Sequence, residues 1–229
     1  MTTGLDDLQN AIERAGFAYR GAFHPQTADG VPPLANGQPC QTVILVGMVG
    51  SEQWSSFRCS AEAEDGLPDP LDRWGHRQLT RLAKAFNAEA LEPSKGPPWW
   101  PFQRWAQRAE AVYPSPLGLL IHPVYGLWHS YRGALALATR LDLAPRHDDP
   151  SPCISCIGQP CLRTCPVQAY TADGFAADVC IGGLKSAAGL ACLGQGCAAR
   201  CACPVGRSHA QAPEQASFHV RAFLHNQDL

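Results

Sequence analysis

The sequence predicts an α+β fold in two units. Three observations carry that reading: apolar residues at helical spacing in two stretches, one continuous β-branched run, and nine of the eleven cysteines crowded between Cys153 and Cys203. A chain of 229 residues has room for one substantial core and a smaller satellite, because single domains usually hold about 100–200 residues.

Taken in chain order, Leu5, Leu8, Ile12 and Ala15 recur at helical spacing, and Gly16 follows where a left-handed residue ends a helix. Gln41 to Met48 is apolar without alternation, the pattern of a strand buried on both faces. A helix is expected from Ser51, which can cap it, with Glu52 in the first turn and Trp54 and Phe57 facing inward. Asp69-Pro70 supplies a cap and a first-turn proline for a long helix whose inner face is Trp74, Leu79, Leu82, Ala83 and Phe86. Pro93 to Pro101 is a proline- and glycine-rich loop ending in the exposed pair Trp99-Trp100, and a short helix to about Val112 follows. Leu117 to Ile121 and the run after Gly133 are apolar enough for core, with Gly118, Gly126 and Gly133 marking close approach or unusual backbone angles. The polar, proline-rich stretch Pro145 to Pro152 sets the boundary, giving units 1–146 and 147–229.

Composition narrows the function classes. With 45% apolar and 17% charged residues the chain reads as an ordinary globular protein, and no apolar run reaches the roughly 20 residues of a spanning helix. The start, Leu5-Asp6-Asp7-Leu8, is acidic and amphipathic, unlike a secretory signal. A cytoplasmic protein without a membrane partner is therefore expected. A formal charge of -2 argues against a binder that neutralises a nucleic-acid backbone. No Ser-His-Asp ordering or paired-carboxylate motif stands out, so hydrolysis is not expected.

The cysteines carry the chemistry. Cys153-x2-Cys156-x4-Cys161-x3-Cys165-Pro166 departs from the bacterial ferredoxin run only by two extra residues between its second and third cysteines. Soft thiolates suit iron–sulfur clusters. A second set follows as Cys180, Cys192, Cys197, Cys201 and Cys203-Pro204, and the repeated Cys-Pro-Val triplets at 165–167 and 203–205 point to a divergent duplication. In two-cluster ferredoxins the Cys-Pro cysteine ligates the other cluster. By that rule Cys153, Cys156 and Cys161 join Cys203 at one [4Fe-4S] cluster, while Cys180, Cys192 and Cys197 join Cys165 at a second. Cys201 competes with Cys180 for the eighth place. Structural zinc, which also takes four thiolates, is the alternative metal. Cys40 and Cys59 lie far from this constellation and are assigned no role.

Upstream, Leu120-Ile121-His122-Pro123-Val124-Tyr125-Gly126-Leu127-Trp128-His129-Ser130-Tyr131-Arg132-Gly133 resembles the Ile-His-Pro-x-aromatic-Gly-x-Trp-x-x-x-Arg-Gly signature of the CblC-type cobalamin-processing proteins. Asp69-Pro70-Leu71-Asp72 and the strand at Val43 to Val46 with Trp54 and Phe57 after it are also similar to that family. The resemblance covers about residues 40 to 140. It implies a flavin-nitroreductase-like, CblC-like α+β N-terminal domain that binds a corrinoid with its lower base displaced, joined to a small C-terminal ferredoxin-like iron–sulfur domain. The same order of parts resembles epoxyqueuosine reductases and reductive dehalogenases, in which clusters feed electrons to bound cobalamin. The chain lacks an Asp-x-His-x-x-Gly motif, so no protein histidine is expected on cobalt, and it is shorter than the epoxyqueuosine reductases.

The resemblance makes Arg132, Trp128, Tyr125 and His122 the candidate cofactor-binding residues. Arg132 matches a family arginine associated with glutathione; it could grip a carboxylate or phosphate in bidentate fashion or serve a structural ion pair. His122 is either a satisfied imidazole or a ligand or acid. Trp99, Trp100, Phe102 and Trp105 either stack on a flat cofactor or pack in the core. The Gly47-Met48-Val49-Gly50 turn lacks the spacing of a phosphate loop. The leading expectation is a redox protein whose two clusters, supplied by an electron-donor protein or reductant, pass electrons to a cobalamin, with FMN as second choice. The alternatives are a non-enzymatic electron carrier or corrinoid carrier, and a zinc-stabilised binding protein. Substrate and oligomeric state are left open.

Overall fold

The computed structural model describes residues 4–146, 149–171 and 174–226. The chain forms two compact units, 1–111 with 130–148, and 112–129 with 149–229. The last of the three breaks, between 148 and 149, falls within the stretch Pro145 to Pro152. The stretch 112–129 departs from a single cut at residue 146, because its apolar side chains pack with the cysteine segment rather than with the sheet.

The first unit contains α1 (Leu5–Arg14), β1 (Ala18–Phe23), β2 (Thr42–Val49), α2 (Trp54–Arg58), α3 (Ala61–Glu64), α4 (Pro70–Ala85), β3 (Glu89–Leu91) and α5 (Phe102–Ala109). Two short strands, β4 (Tyr113–Pro114) and β5 (Leu120–Ile121), then form a hairpin in the second unit before β6 (His129–Leu137). The main sheet has the order β1-β2-β6-β3. All eight residues of β2 are buried, as its unbroken apolar run requires of a central strand. The Gly47 to Val49 segment therefore belongs to this strand, and only Gly50 begins a turn.

Helix α1 presents Leu8 and Ile12 to the core, and Gly16 turns the chain at φ +85°. Helix α4 runs over the expected stretch, with Trp74 and Leu79 fully buried. Trp74 packs its ring 4.9 Å from Phe17 and 6.1 Å from Phe57, which joins α4 to the α1–β1 turn and to α2. Two expected caps differ. Helix α2 starts at Trp54, not Ser51, because Ser51 to Gln53 form a turn in which Gln53 Oε1 accepts the Val49 N–H at 2.9 Å. Asp69 precedes Pro70 as expected but is left-handed (φ 50°), so its side chain caps nothing.

One buried polar network in this unit joins β1 to β6. Arg20 of β1, 1% exposed, donates through Nε and Nη2 to Glu110 Oε1 at 3.1 and 2.8 Å, and Tyr131 of β6 donates to the same oxygen at 2.5 Å. Burial, with Glu110 beside it, pushes the Tyr131 hydroxyl well above the usual phenol range. On the surface, Glu62 of α3 pairs with Arg77 of α4 at 2.5 Å, which pulls its carboxyl from 4.5 down to about 2.

The second unit adds β7 (Tyr170–Thr171), β8 (Gly174–Phe175), α6 (Ala177–Leu184), α7 (Leu190–Gln195), α8 (Ala198–Cys201) and α9 (Pro213–His225). Among the described residues its strands pair as the two small hairpins β4–β5 and β7–β8. Helix α9 closes on α7, where Ser217 Oγ donates to the Leu193 carbonyl at 2.5 Å. No single helix among the described residues is long and apolar enough to cross a membrane.

Candidate metal centre

The second unit has a core of Leu117, Ile121, Leu127, Ala199 and Cys203, with Cys153, Cys161, Cys165 and Cys197 packed around it. The small core explains why residues 112–129 are needed here: they supply three of those five side chains. The loop 122–126 is closed by reciprocal backbone bonds between His122 and Gly126, both 2.9 Å. It lies against the chain that follows Cys203. A Cβ on Gly126 (φ +58°) would sit 2.1 Å from the Val205 carbonyl oxygen, and one on Gly206 (φ +68°) 2.3 Å from the Tyr125 carbonyl carbon. Only glycine permits that approach.

Nine of the cysteines fall into two groups, Cys40 and Cys59 lie in the first unit, and all eleven are free thiols. Cys153, Cys156, Cys161 and Cys203 border one small cavity of about 20 Å³, shared with Leu117, Ile121 and Leu127. Cys165, Cys180, Cys192 and Cys197, with Cys201, border a second of about 460 Å³. Burial pushes the Cys153 and Cys161 thiols up, and in both cases the neighbouring Cys203 and Cys156 add to it. Cys180 is pushed up to about 11, first by burial and then by Cys197, Cys165 and Cys192. Cys201 is raised by burial and by Cys197 and Cys192. Cys180 is thus electrostatically coupled to all three other members of its set. The Cys165 sulfur accepts the Ala169 N–H at 3.4 Å. The Tyr170 ionisation is raised by burial and by the surrounding thiols Cys197, Cys180 and Cys165.

The donor chemistry fits two iron–sulfur clusters, since each cavity is bordered by four or more thiols and by no carboxylate. Among the described residues no group of three or more His, Cys, Asp or Glu is placed to hold a metal ion.

The residues singled out by the signature lie in different units. His122, Tyr125 and Trp128 belong to the second, and Arg132 to the first. His122 Nδ1 accepts the Val124 and Tyr125 N–H groups at 3.0 and 3.2 Å, which fixes that nitrogen as an acceptor, and its ring stacks on Tyr125 at 4.3 Å. Tyr125 meets His209 edge-on at 5.1 Å. These two residues brace the 122–126 loop against the segment after Cys203. Trp128 is buried on the wall of the larger cysteine cavity. In the first unit, Arg132 Nη1 donates to Asp72 Oδ1 at 3.3 Å, while its Nε is buried with no hydrogen-bond partner. Burial lowers the Arg132 ionisation and raises that of Asp72. Of the aromatic group, Trp105 is fully buried and donates to the Asp29 carbonyl at 2.8 Å, Phe102 is core, Trp100 stacks on Trp105 at 6.2 Å, and Trp99 is 68% exposed.

Sequence reasoning missed Arg200. Its Nε and Nη2 donate to the Leu127 carbonyl at 3.1 and 2.6 Å, and its guanidinium lies 4.9 Å from the centre of the Trp128 ring. The available signal was that Lys185 and Arg200 are the only charged residues between Gly182 and Cys203.

No protein-family model matches the chain, and no curated protein does. Among solved structures, the chain is similar to epoxyqueuosine reductase from Streptococcus thermophilus, at 16% identity with a TM-score of 0.51, over 92% of this chain and 69% of that one. It is similar to the same degree to a C. elegans B12-trafficking protein, CblC, a human MMACHC homologue, at 13% identity with a TM-score of 0.51, over 96% of this chain and 95% of that one. The likeness establishes a shared α+β fold with both.

Proposed function

We propose that this protein is a redox protein whose C-terminal unit is a ferredoxin-type module holding two [4Fe-4S] clusters and whose electron acceptor is a corrinoid. The observation that carries the reading is the partition of the cysteines between two cavities, with Cys203 beside the first three and Cys165 beside Cys180, Cys192 and Cys197. A spacing rule for two-cluster ferredoxins expects that interleaving. A zinc ion held at about 2.3 Å by each thiolate needs its ligands converging on one point. A cube carries each thiolate on a separate iron. The clusters would supply one-electron transfer at low potential.

The chain's own residues supply the rest. The apolar side chains of Leu117, Ile121 and Leu127 shield the first thiol set from water, and the reciprocal glycines at 126 and 206 hold Cys203 and its proline in place. The corrinoid as acceptor is supported by the shared fold, one of whose holders is a B12-trafficking protein, and by the His122 to Gly133 block.

The test is anaerobic reconstitution of the full chain with iron and sulfide, followed by addition of hydroxocobalamin or FMN to the reduced protein. About eight irons and eight sulfides per chain, bleaching of the absorption near 400 nm by dithionite, and reduction of the corrinoid are expected. A colourless protein with stoichiometric zinc would overturn the cluster reading. Clusters that reduce neither cofactor would make the chain a carrier that serves a protein partner.

A further inference from the structure

The larger cysteine cavity is lined by more than thiols. Trp128 and Arg200 both line it. Trp128 is 3% exposed, and its Nε1–H is buried with no hydrogen-bond partner. Arg200 is half-buried, and its partners are all neutral: the Leu127 carbonyl, Gln211 Oε1 at 3.1 Å through Nη1, and the face of the Trp128 ring. No carboxylate pairs with it among the described residues. Charges withdrawn from water are ordinarily paired, and buried donors are ordinarily satisfied. Here a cation without a counter-ion and a donor without an acceptor stand together beside Cys165, Cys180, Cys192 and Cys197.

We propose that Trp128 and Arg200 form the electrostatic counter-wall of the second cluster, the guanidinium supplying the balancing positive charge and the indole N–H a hydrogen bond to sulfur, so that together they raise its reduction potential. This inference rests on the cluster reading above. A cube held by four thiolates is an anion, and accepting one electron from an external donor makes it more negative without making or breaking a bond. A fixed cation and a sulfur-directed donor therefore stabilise the reduced form more than the oxidised one, and hydrogen bonds to sulfur are among the recognised determinants of cluster potential. The guanidinium over the indole face also polarises the ring and so strengthens its N–H as a donor. Arginine suits the position because its planar fork grips the Leu127 carbonyl through two nitrogens while its face stays on the ring. The tryptophan that the signature associates with a cofactor domain thereby acquires a role in the cysteine unit. Both residues act as positioning and tuning groups.

The experiment is a redox titration, followed by electron paramagnetic resonance, of the reconstituted full chain in a Cys156→Ser background that leaves the second cluster alone. Trp128→Phe, which keeps an aromatic face but removes the N–H together with the fused pyrrole ring, is expected to shift the reduction equilibrium several-fold toward the oxidised form. Arg200→Gln is expected to shift it about tenfold, or 59 mV for a one-electron couple, and Arg200→Lys much less. The apo form of Trp128→Phe should melt below the parent, because the buried pyrrole ring leaves a cavity, so only midpoints of cluster-loaded protein are compared. Midpoints equal to the parent in cluster-loaded Trp128→Phe and Arg200→Gln would overturn the inference while leaving the cluster reading intact. Failure of the parent chain to take up iron and sulfide would overturn both. Should Arg200→Gln not fold, Trp128→Phe decides alone.

Discussion

Gly126 tolerates no side chain, because its φ of +58° and the Val205 carbonyl 2.1 Å from a would-be Cβ penalise any substitution twice. Gly126→Ala should destabilise the second unit by about 2–3 kcal/mol, read as a lower thermal midpoint. Gly37→Ala, at φ +81° with nothing within 4 Å, should cost only the left-handed penalty of about 1–2 kcal/mol. The sequence marked Gly126 as special from its local context, but not what it approaches, since Val205 lies in a distant segment and no periodicity links the two. Arg20 was invisible for a related reason. Its charge predicts a surface place, and only the fold brings Glu110 and Tyr131 to it. Truncating one partner strands the other, so Glu110→Ala should cost about 3–5 kcal/mol in chemical denaturation.

At the scale of elements, periodicity served well where it ran long. Helices α1 and α4 and strand β2 lie within one or two residues of their expected bounds, because each has an unbroken apolar pattern and many buried positions to enforce it. The caps at Ser51 and Asp69 were not legible. Each is decided by one local competition, Gln53 reaching back to Val49 in one case and a left-handed Asp69 in the other. The clip between α3 and α4 gives a prediction with a definite sign. Glu62 titrates near 2 in the folded chain against 4.5 ordinarily, so its pairing with Arg77 stabilises fully above pH 4.5 and loses that contribution as pH falls through 2. Because the pair sits at the surface the effect is at most about 1 kcal/mol. Glu62→Gln should lower the melting temperature slightly at pH 7 and match the parent near pH 2.

At the scale of the molecule, the proposed cysteine sets rest on ligand spacing, which is a local code, while the ownership of residues 112–129 was not legible. That stretch precedes the apparent linker and supplies Leu117, Ile121 and Leu127 to the core beyond it. A fragment of residues 147–229 should therefore fail to form a protected unit in hydrogen exchange, and a fragment from 112, joined through a short linker at 130–148, should recover protection. Under the proposed ligand partition, Cys203→Ser should cost the same cluster as Cys153→Ser, and Cys165→Ser the same cluster as Cys192→Ser. Iron analysis of each single variant, with about four irons retained per chain, checks this.

The excursion of 112–129 also sets a timetable for synthesis. Those side chains leave the ribosome well before Ala199 and Cys203, against which they pack. At about 5–20 residues per second the nascent chain waits several seconds with Leu117, Ile121 and Leu127 unburied, while β6, emerging directly behind them, is already able to join the sheet. The first unit can close before the second, and this apolar stretch, stranded until the last cysteines emerge, is where a chaperone would have to act.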